Sequence, residues 1–504
     1  MTGVDRIKAL LTVLVTVALV SVVLVMHADL ALHKPFWLDE GHEIVRTCDQ
    51  PAGALLLRGA YECSPAPLYW ILQGFVVRSV EPLGLALRLE YRAVSLTAAA
   101  VTLLLLLLGP GRRLGVPSAL VAFSVLLTDP AFHFYAAQNR AYMTWAAITT
   151  ILVVAASEAS VLDDARFRWG GGALLAAGAL AGLTALPGCL QAAGAFAACV
   201  AMRSWFTPGG RLDRRNALLL GLGALAILAV DVHYWLGSPC RGWQGARDYG
   251  LDLLESGTRA PMIRHALAVI WPEGWSPWVL LGHVLLLAGA ALPFAAWRRR
   301  TTLVASERYA VALSLVALTQ VLVAVPVAAG LAAGRYLFLP RMFIFVMVAR
   351  AALVAAGFWW MATLAQRAAA RAPRLAAAVP MLAAGALAAW ASWQGVRIMH
   401  GLAVPLAPVG TVSCEALRTP LLHVLEPARR SPEFTPNFLV RLGRALDSCA
   451  ATPIRPGPPA YLLALEAEAG QEWSRVATQP ADGFKPLQVC GRPVALRDGH
   501  VRFD

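Results

Sequence analysis

IKALLTVLVTVALVSVVLVM, Ile7 to Met26, is followed soon after by WLDEGHEIVR, Trp37 to Arg46. About 20 apolar residues in a helix are enough to cross a hydrocarbon core of roughly 30 Å. Arg6 and Lys8 precede its uninterrupted apolar part, which begins at Ala9. It is longer than the apolar region of a cleaved signal, and no small-x-small cleavage site follows it. The run is therefore read as a retained anchor that starts in the cytoplasm. The acids, histidine and arginine of WLDEGHEIVR then mark the place where the chain leaves the bilayer on the other side.

The same pattern extends along the chain. Of 504 residues, 58% are hydrophobic and only 14% charged, against about a quarter charged in soluble proteins. The mean hydropathy is +0.61. The expected fold class is an α-helical polytopic membrane protein. The net charge of +13 lies in short clusters between apolar segments, where topology determinants sit, and makes no continuous basic face. Nucleic acid is not an expected partner.

Hydropathy and the positive-inside rule predict about eleven spans. After the first, a long outer loop (about 27–88) includes PLYWILQGFVV, read as a membrane-lying helix because its length is short for a span. The second span, Leu89 to Leu108, returns to the basic turn GRRLG. The third, Val116 to Leu127, leads out to TDPAFHFYAAQNRAY, read as an outer loop, and the fourth covers Met143 to Ala159. The fifth and sixth, Gly171 to Leu186 and Gly188 to Met202, form a pair hinged at Pro187. The seventh, Ala217 to Leu236, opens a Trp- and Arg-rich outer loop; the eighth, Pro277 to Trp297, ends on three arginines. The ninth runs from Tyr309 to Ala329, GRYLFLPR marks the next turn, and the tenth ends near Ala365. The eleventh, Leu375 to Trp393, leaves the C-terminus outside. The expected domains are a transmembrane catalytic part, 1–395, and a small mixed α/β extracytoplasmic part, 396–504. Strand-like alternation in PAYLLALEAE and PVALRDGHVRF supports the second.

Cysteine usage fits this sidedness. Cys189 and Cys199 lie in spans; Cys48, Cys63, Cys240, Cys414, Cys449 and Cys490 all fall in segments placed outside. An even number on the oxidising side suggests disulfides, with Cys48 and Cys63 of the first loop the favoured pair; free buried thiols are the alternative.

Four stretches could carry chemistry. Asp39 and Glu40 cannot lie in hydrocarbon; adjacent at the interface, they do not both ionise easily, so one suits a general base. His42 and Glu43 follow within about one helical turn. A solvated loop with an N-capping acid is the plain alternative. SPAPLYWIL, Ser64 to Leu72, brings Tyr69 into the same loop through two prolines that suit a helix entrance. FYAAQNRAYM, Phe134 to Met143, offers Gln138, Arg140 and Tyr142. An arginine there suits an anion, unless it merely snorkels to water. AGRYLFLPRMF, Ala333 to Phe343, places Arg335, Tyr336 and Arg341 on the outer side, as phosphate ligands or as interface anchors.

In this order a D-E pair, S-P-x-P-L-Y, R-x-Y and G-R-Y-L-x-x-P resemble the bacterial glycosyltransferases of the GT-C superfamily. That group includes the protein O-mannosyltransferases and the aminoarabinose transferase of lipid A. The resemblance covers roughly the first 360 residues. It implies Asp39 as catalytic acid-base residue with Glu40 beside it, and a polyprenyl-phosphate sugar as donor. It further implies Arg335, Tyr336 and Arg140 as ligands of the donor phosphate. His42, Tyr69, Gln138 and Tyr142 are substrate-contact candidates. The acceptor would be an extracytoplasmic glycan, lipid or protein. The implied location is the bacterial inner membrane, with membrane lipid around it and the active site facing out. Many relatives carry glutamate where this chain has Gln138, so no metal ligands are assigned and a divalent metal stays an open alternative. Asp129 could replace that acid only if its loop folds back.

No dinucleotide fingerprint or P-loop is present, in keeping with a donor already activated on lipid. The competing reading is a transporter or lipid flippase, which places charges on broken helices at mid-membrane. A non-catalytic scaffold is a third.

Overall fold

The computed structural model describes residues 3–33, 51–59, 66–85, 87–185, 187–206, 214–237, 277–299, 302–332, 343–369 and 373–403, together with five short C-terminal strands. Helix follows helix: α1 (Gly3–His33), α2 (Ala52–Arg58), α3 (Leu68–Val80), α4 (Leu87–Leu114), α5 (Val116–Leu127), α6 (Pro130–Ala136) and α7 (Ala141–Val161). Then come α8 (Asp164–Thr184), α9 (Gly188–Phe206), α10 (Arg214–Gly237), α11 (Pro277–Ala296), α12 (Ala305–Ala332), α13 (Ile344–Ala368) and α14 (Pro373–Ala403). Among the described residues six helices are long and apolar enough to cross a membrane, or seven if the bent pair α5–α6 counts as one span. The protein is a multi-pass helical membrane protein. The eleven segments expected to span fall on helices, but α5 alone is too short to cross, and α1, α8, α9 and α14 are not among the described helices that reach the length and apolarity of a span.

Two expectations need correction. The first outer loop does not begin at His27, since α1 continues to His33 and buries His27. TDPAFHFYAAQNRAY is not an open loop either. Asp129 accepts the amide of Ala131 at 2.9 Å and Pro130 fills the first turn, which starts α6 at 74° to α5. A capping acid followed by proline is a helix start. α6 then tucks in against α4, α5, α7 and α14.

α13 sits at the centre, packed on α4, α5, α7, α11, α12 and α14, with 78% of its apolar window buried; α10, at 22%, lies at the edge. Lipid tails give helices no hydrophobic reason to associate, so close packing and internal hydrogen bonds must do it. Both are present. A Cβ on Gly357 would stand 1.9 Å from the carbonyl oxygen of Leu285, and one on Gly289 would stand 2.1 Å from that of Leu353. These reciprocal gaps let α11 and α13 touch backbone to backbone. Across α7, α9 and α12, Trp145 Nε1 donates to Gln191 Oε1 at 2.6 Å, and Gln191 Nε2 reaches Thr149 and Gln320 at 3.1 Å each.

The basic turns meet on one face. Arg112 and Arg113 pair with Glu158 at 3.0 and 2.5 Å, joining the ends of α4 and α7. Trp205 at the end of α9 lies 5.4 Å from Trp297 after α11, and Arg308 stands over Phe206 at 5.7 Å. Arg367 of α13 pairs with Glu307 of α12 at 2.7 Å. At the opposite face, Arg92 Nη1 of α4 donates to Ala31 O of α1 at 2.6 Å, and Tyr234 of α10 donates to Leu56 O of α2 at 2.8 Å.

Beyond α14 the described residues are strands. β1 (Tyr461–Leu463) pairs antiparallel with β2 (Val476–Ala477), and β4 (Arg492–Arg497) pairs antiparallel with both β3 (Gln488–Val489) and β5 (His500–Phe503). The rest of the expected C-terminal domain lies outside the described residues.

Gly357→Ala should lower thermal stability in detergent by about 1–3 kcal/mol or more, because a backbone carbonyl cannot move aside as a side chain can. Gly282→Ala, with nothing within 4 Å, should change it little. Equal melting of the two variants would disprove the close helix contact.

Candidate functional site

The site is built where the first-loop helix α3 meets the turn between α6 and α7. The turn is tight: the amide of Gln138 bonds Tyr135 O at 3.3 Å and that of Arg140 bonds Gln138 O at 3.0 Å. Gln138 and Asn139 are buried at 2% and 0% exposure. Arg140 takes extended backbone angles at the N-cap of α7 and provides no side-chain cap. The N-terminal amides of a 21-residue helix therefore lie beside a guanidinium, and both favour negative charge. Arg140 is half-buried; its Nη2 lies 3.3 Å from the Tyr142 hydroxyl and its guanidinium carbon 5.5 Å from that ring.

α3 buries Tyr69, Trp70, Gln73 and Val77, one face of a helix, and packs against α4. Gln73 Nε2 donates to Tyr91 O at 2.7 Å, fixing the helix against α4. Tyr69, 1% exposed, then points its hydroxyl at Asn139 Oδ1, 2.5 Å away. Ser95 of α4 closes the arrangement by donating to Arg140 O at 3.3 Å. Two segments some 70 residues apart, both singled out from sequence, thus share one buried hydrogen bond.

Of the candidate residues, Tyr69, Gln138, Arg140 and Tyr142 come together at this junction. Asp39, Glu40, His42, Cys48, Cys63, Arg335 and Tyr336 lie outside the described residues. The described cysteines, Cys189 and Cys199, are buried thiols. Among the described residues no three His, Cys, Asp or Glu side chains gather as a metal site.

Asp129 does not stand in for the missing glutamate. Besides capping α6 it forms a buried ion pair with Arg350 of α13. Arg350 went unread in the sequence although a lone arginine in an apolar run is itself a signal. The histidines beside it were missed as well: His133 Nε2 lies 2.7 Å from Leu127 O, and His27 Nε2 lies 2.9 Å from His133 Nδ1. These groups support the break before α6, and they hold the turn that carries Asn139 and Arg140. A buried carboxylate on a span also occurs at Asp231, whose Oδ2 accepts the amide of Cys189 at 3.1 Å near the start of α9.

No family profile matches the chain, and no curated protein does. The fold is similar to two crystal structures of ArnT from Cupriavidus metallidurans. The first, in the apo state, is 16% identical, with a TM-score of 0.44, over 84% of this chain and 81% of that one. The second, bound to undecaprenyl phosphate, is 14% identical, with a TM-score of 0.48, over 93% and 98%.

Arg350→Leu should cost about 3–5 kcal/mol by stranding a buried carboxylate, read as a lowered melting temperature. Pairing it with Asp129→Asn should restore part of the loss; a double variant as unstable as the sum would refute the coupling. In the same assay, Tyr69→Phe and Asn139→Ala should show a coupling of about 1 kcal/mol, and strict additivity would mean the bond is not made.

Proposed function

We propose that the chain is an integral-membrane glycosyltransferase of the GT-C type, which transfers a sugar from a polyprenyl-phosphate donor to an acceptor outside the cytoplasm. The observation that carries this reading is the Tyr69–Asn139 bond. It brings the S-P-x-P-L-Y segment against the R-x-Y turn, beside the N-terminus of α7. A guanidinium next to a helix N-terminus, at a membrane face rich in aromatic residues, suits a phosphate that is anchored by lipid.

In the proposed reaction Asp39 accepts the proton of an acceptor hydroxyl or amine. The freed lone pair forms a bond to the anomeric carbon as the bond from that carbon to the phosphate oxygen breaks. The electron pair leaves on the polyprenyl phosphate, whose added charge Arg140 and Arg335 stabilise. Attack opposite the leaving group inverts the anomeric centre. Glu40 acts beside Asp39, and Tyr336, Tyr142, His42 and Gln138 contact the substrates. The basic face, with Arg112, Arg113, Arg298, Arg299 and Arg367, is cytoplasmic in this reading, and the opposite face, with Tyr69 and Arg140, looks outward.

The transporter or flippase alternative needs working charges inside the spans. Three of the described acids there are engaged structurally: Glu158 with two arginines, Asp129 with Arg350 and a helix start, Asp231 with the amide of Cys189; a fourth, Glu90, is buried at the start of α4.

The test compares envelope glycans and lipids from cells making wild type, Asp39→Asn or no protein, at equal membrane abundance. The expected result is one sugar modification lost in the deletion and absent with Asp39→Asn, as a loss of about 10²–10⁴-fold in rate requires. Arg140→Gln should weaken it by a smaller factor. Full modification with Asp39→Asn would remove that residue from the reaction, and an unchanged deletion strain would remove the glycosyl-transfer reading.

A further inference from the structure

On the basic face, far from the proposed active site, three helix ends frame a narrow crevice. The last turns of α11 and α13 and the first turn of α12 line it. Leu292, Trp359 and Trp360 form its apolar wall, and Arg299 and Arg367 both stand at it. Glu307, also on the lining, spends one carboxylate oxygen on Arg367 at 2.7 Å and the other on the amide of Val304 at 3.0 Å. It ion-pairs with Arg367 and also attracts Arg299. Around it lie Arg298, Arg299 and Arg308, which make no ion pair among the described residues. Arg308 spends its Nε on Leu303 O at 3.0 Å. Arg298 and Arg299 are exposed, and Trp297 between α11 and these arginines is 62% exposed.

One carboxylate among Arg298, Arg299, Arg308 and Arg367 leaves an excess of positive charge on neighbouring helix ends, which water screens in part and an added anion would relieve further. The anion must suit a bilayer interface, because the cations ride on spans and tryptophans flank them. It must also bring apolar surface for the wall of Leu292, Trp359 and Trp360. We infer that this crevice binds an anionic glycerophospholipid, with its phosphate between Arg299 and Arg367 and the top of an acyl chain against Trp360. Arginine suits that role, since its planar fork matches a phosphate diester better than a point charge does. The site would fasten the end of α11 to α12 and α13 at a face where the Glu307–Arg367 pair joins only the latter two. The inference stands independently of glycosyl transfer.

The experiment uses the full-length protein, purified in detergent and supplied with phosphatidylglycerol or phosphatidylcholine. Bound lipid is counted by native mass spectrometry and melting is recorded in parallel. Wild type should retain phosphatidylglycerol at least tenfold over phosphatidylcholine and melt several degrees higher with it. Arg298→Gln/Arg299→Gln, both exposed and outside the packed core, should lose both effects. Glu307→Gln should hold phosphatidylglycerol more tightly, because it removes the competing carboxylate. Arg214→Gln/Arg215→Gln, which deletes equal charge from the exposed start of α10, should leave retention unchanged. Equal retention of the two lipids by wild type would overturn the site. So would an equal loss in both arginine double variants, which would reveal a diffuse attraction in place of a site.

Discussion

A chain inside hydrocarbon must satisfy its own backbone polar groups, and the break between α5 and α6 is where that constraint is most severe. Ending a helix after Leu127 exposes carbonyls, and starting another at Pro130 exposes amides. His133 reaches back to Leu127 O, Thr128 bonds Ser124 O at 3.0 Å, and Asp129 takes the Ala131 amide. The Asp129 charge is balanced by Arg350, and His133 is braced by His27. One interruption thus recruits side chains from α1, α6 and α13. In return the chain turns sharply enough to set Asn139 under Tyr69 and Arg140 at the head of α7.

Much of this was legible. Apolar length located the helices, because burial in lipid leaves a helix little other choice, and the basic clusters foretold which ends share a face. Tyr69 and Arg140 could be named because polar residues beside long apolar runs need a reason. The break was misread for a physical cause. Asp129, His133, Gln138 and Asn139 look like solvated loop residues, and nothing local says that a remote arginine will bury one of them. The pair Asp129-Pro130 did encode a helix start, and Arg350 within FIFVMVARAALVAA announced a buried counter-charge. Only three-dimensional packing joins the two. Asp39 and Arg335 lie outside the described residues and rest on the sequence, through their place at the interface and the resemblance.

The contact of α11 with α13 shows a different kind of economy. Glycine at 289 and 357 removes side chains so that two backbones meet, while tryptophan and arginine crowd the ends of the same helices. Close approach at the glycines and bulky side chains toward the ends thus occur on the same two helices.

α5 has 12 residues, about 18 Å of helix, against a hydrocarbon layer of roughly 30 Å. It starts on the basic face and stops well short of the other. α6 continues it for only seven residues at 74°, so it is the 21-residue α7, roughly 30 Å long, that measures the full distance from Arg140 to the basic face. One helix thus bridges the two faces in a single rod, while its neighbour is divided into two pieces that meet at a joint.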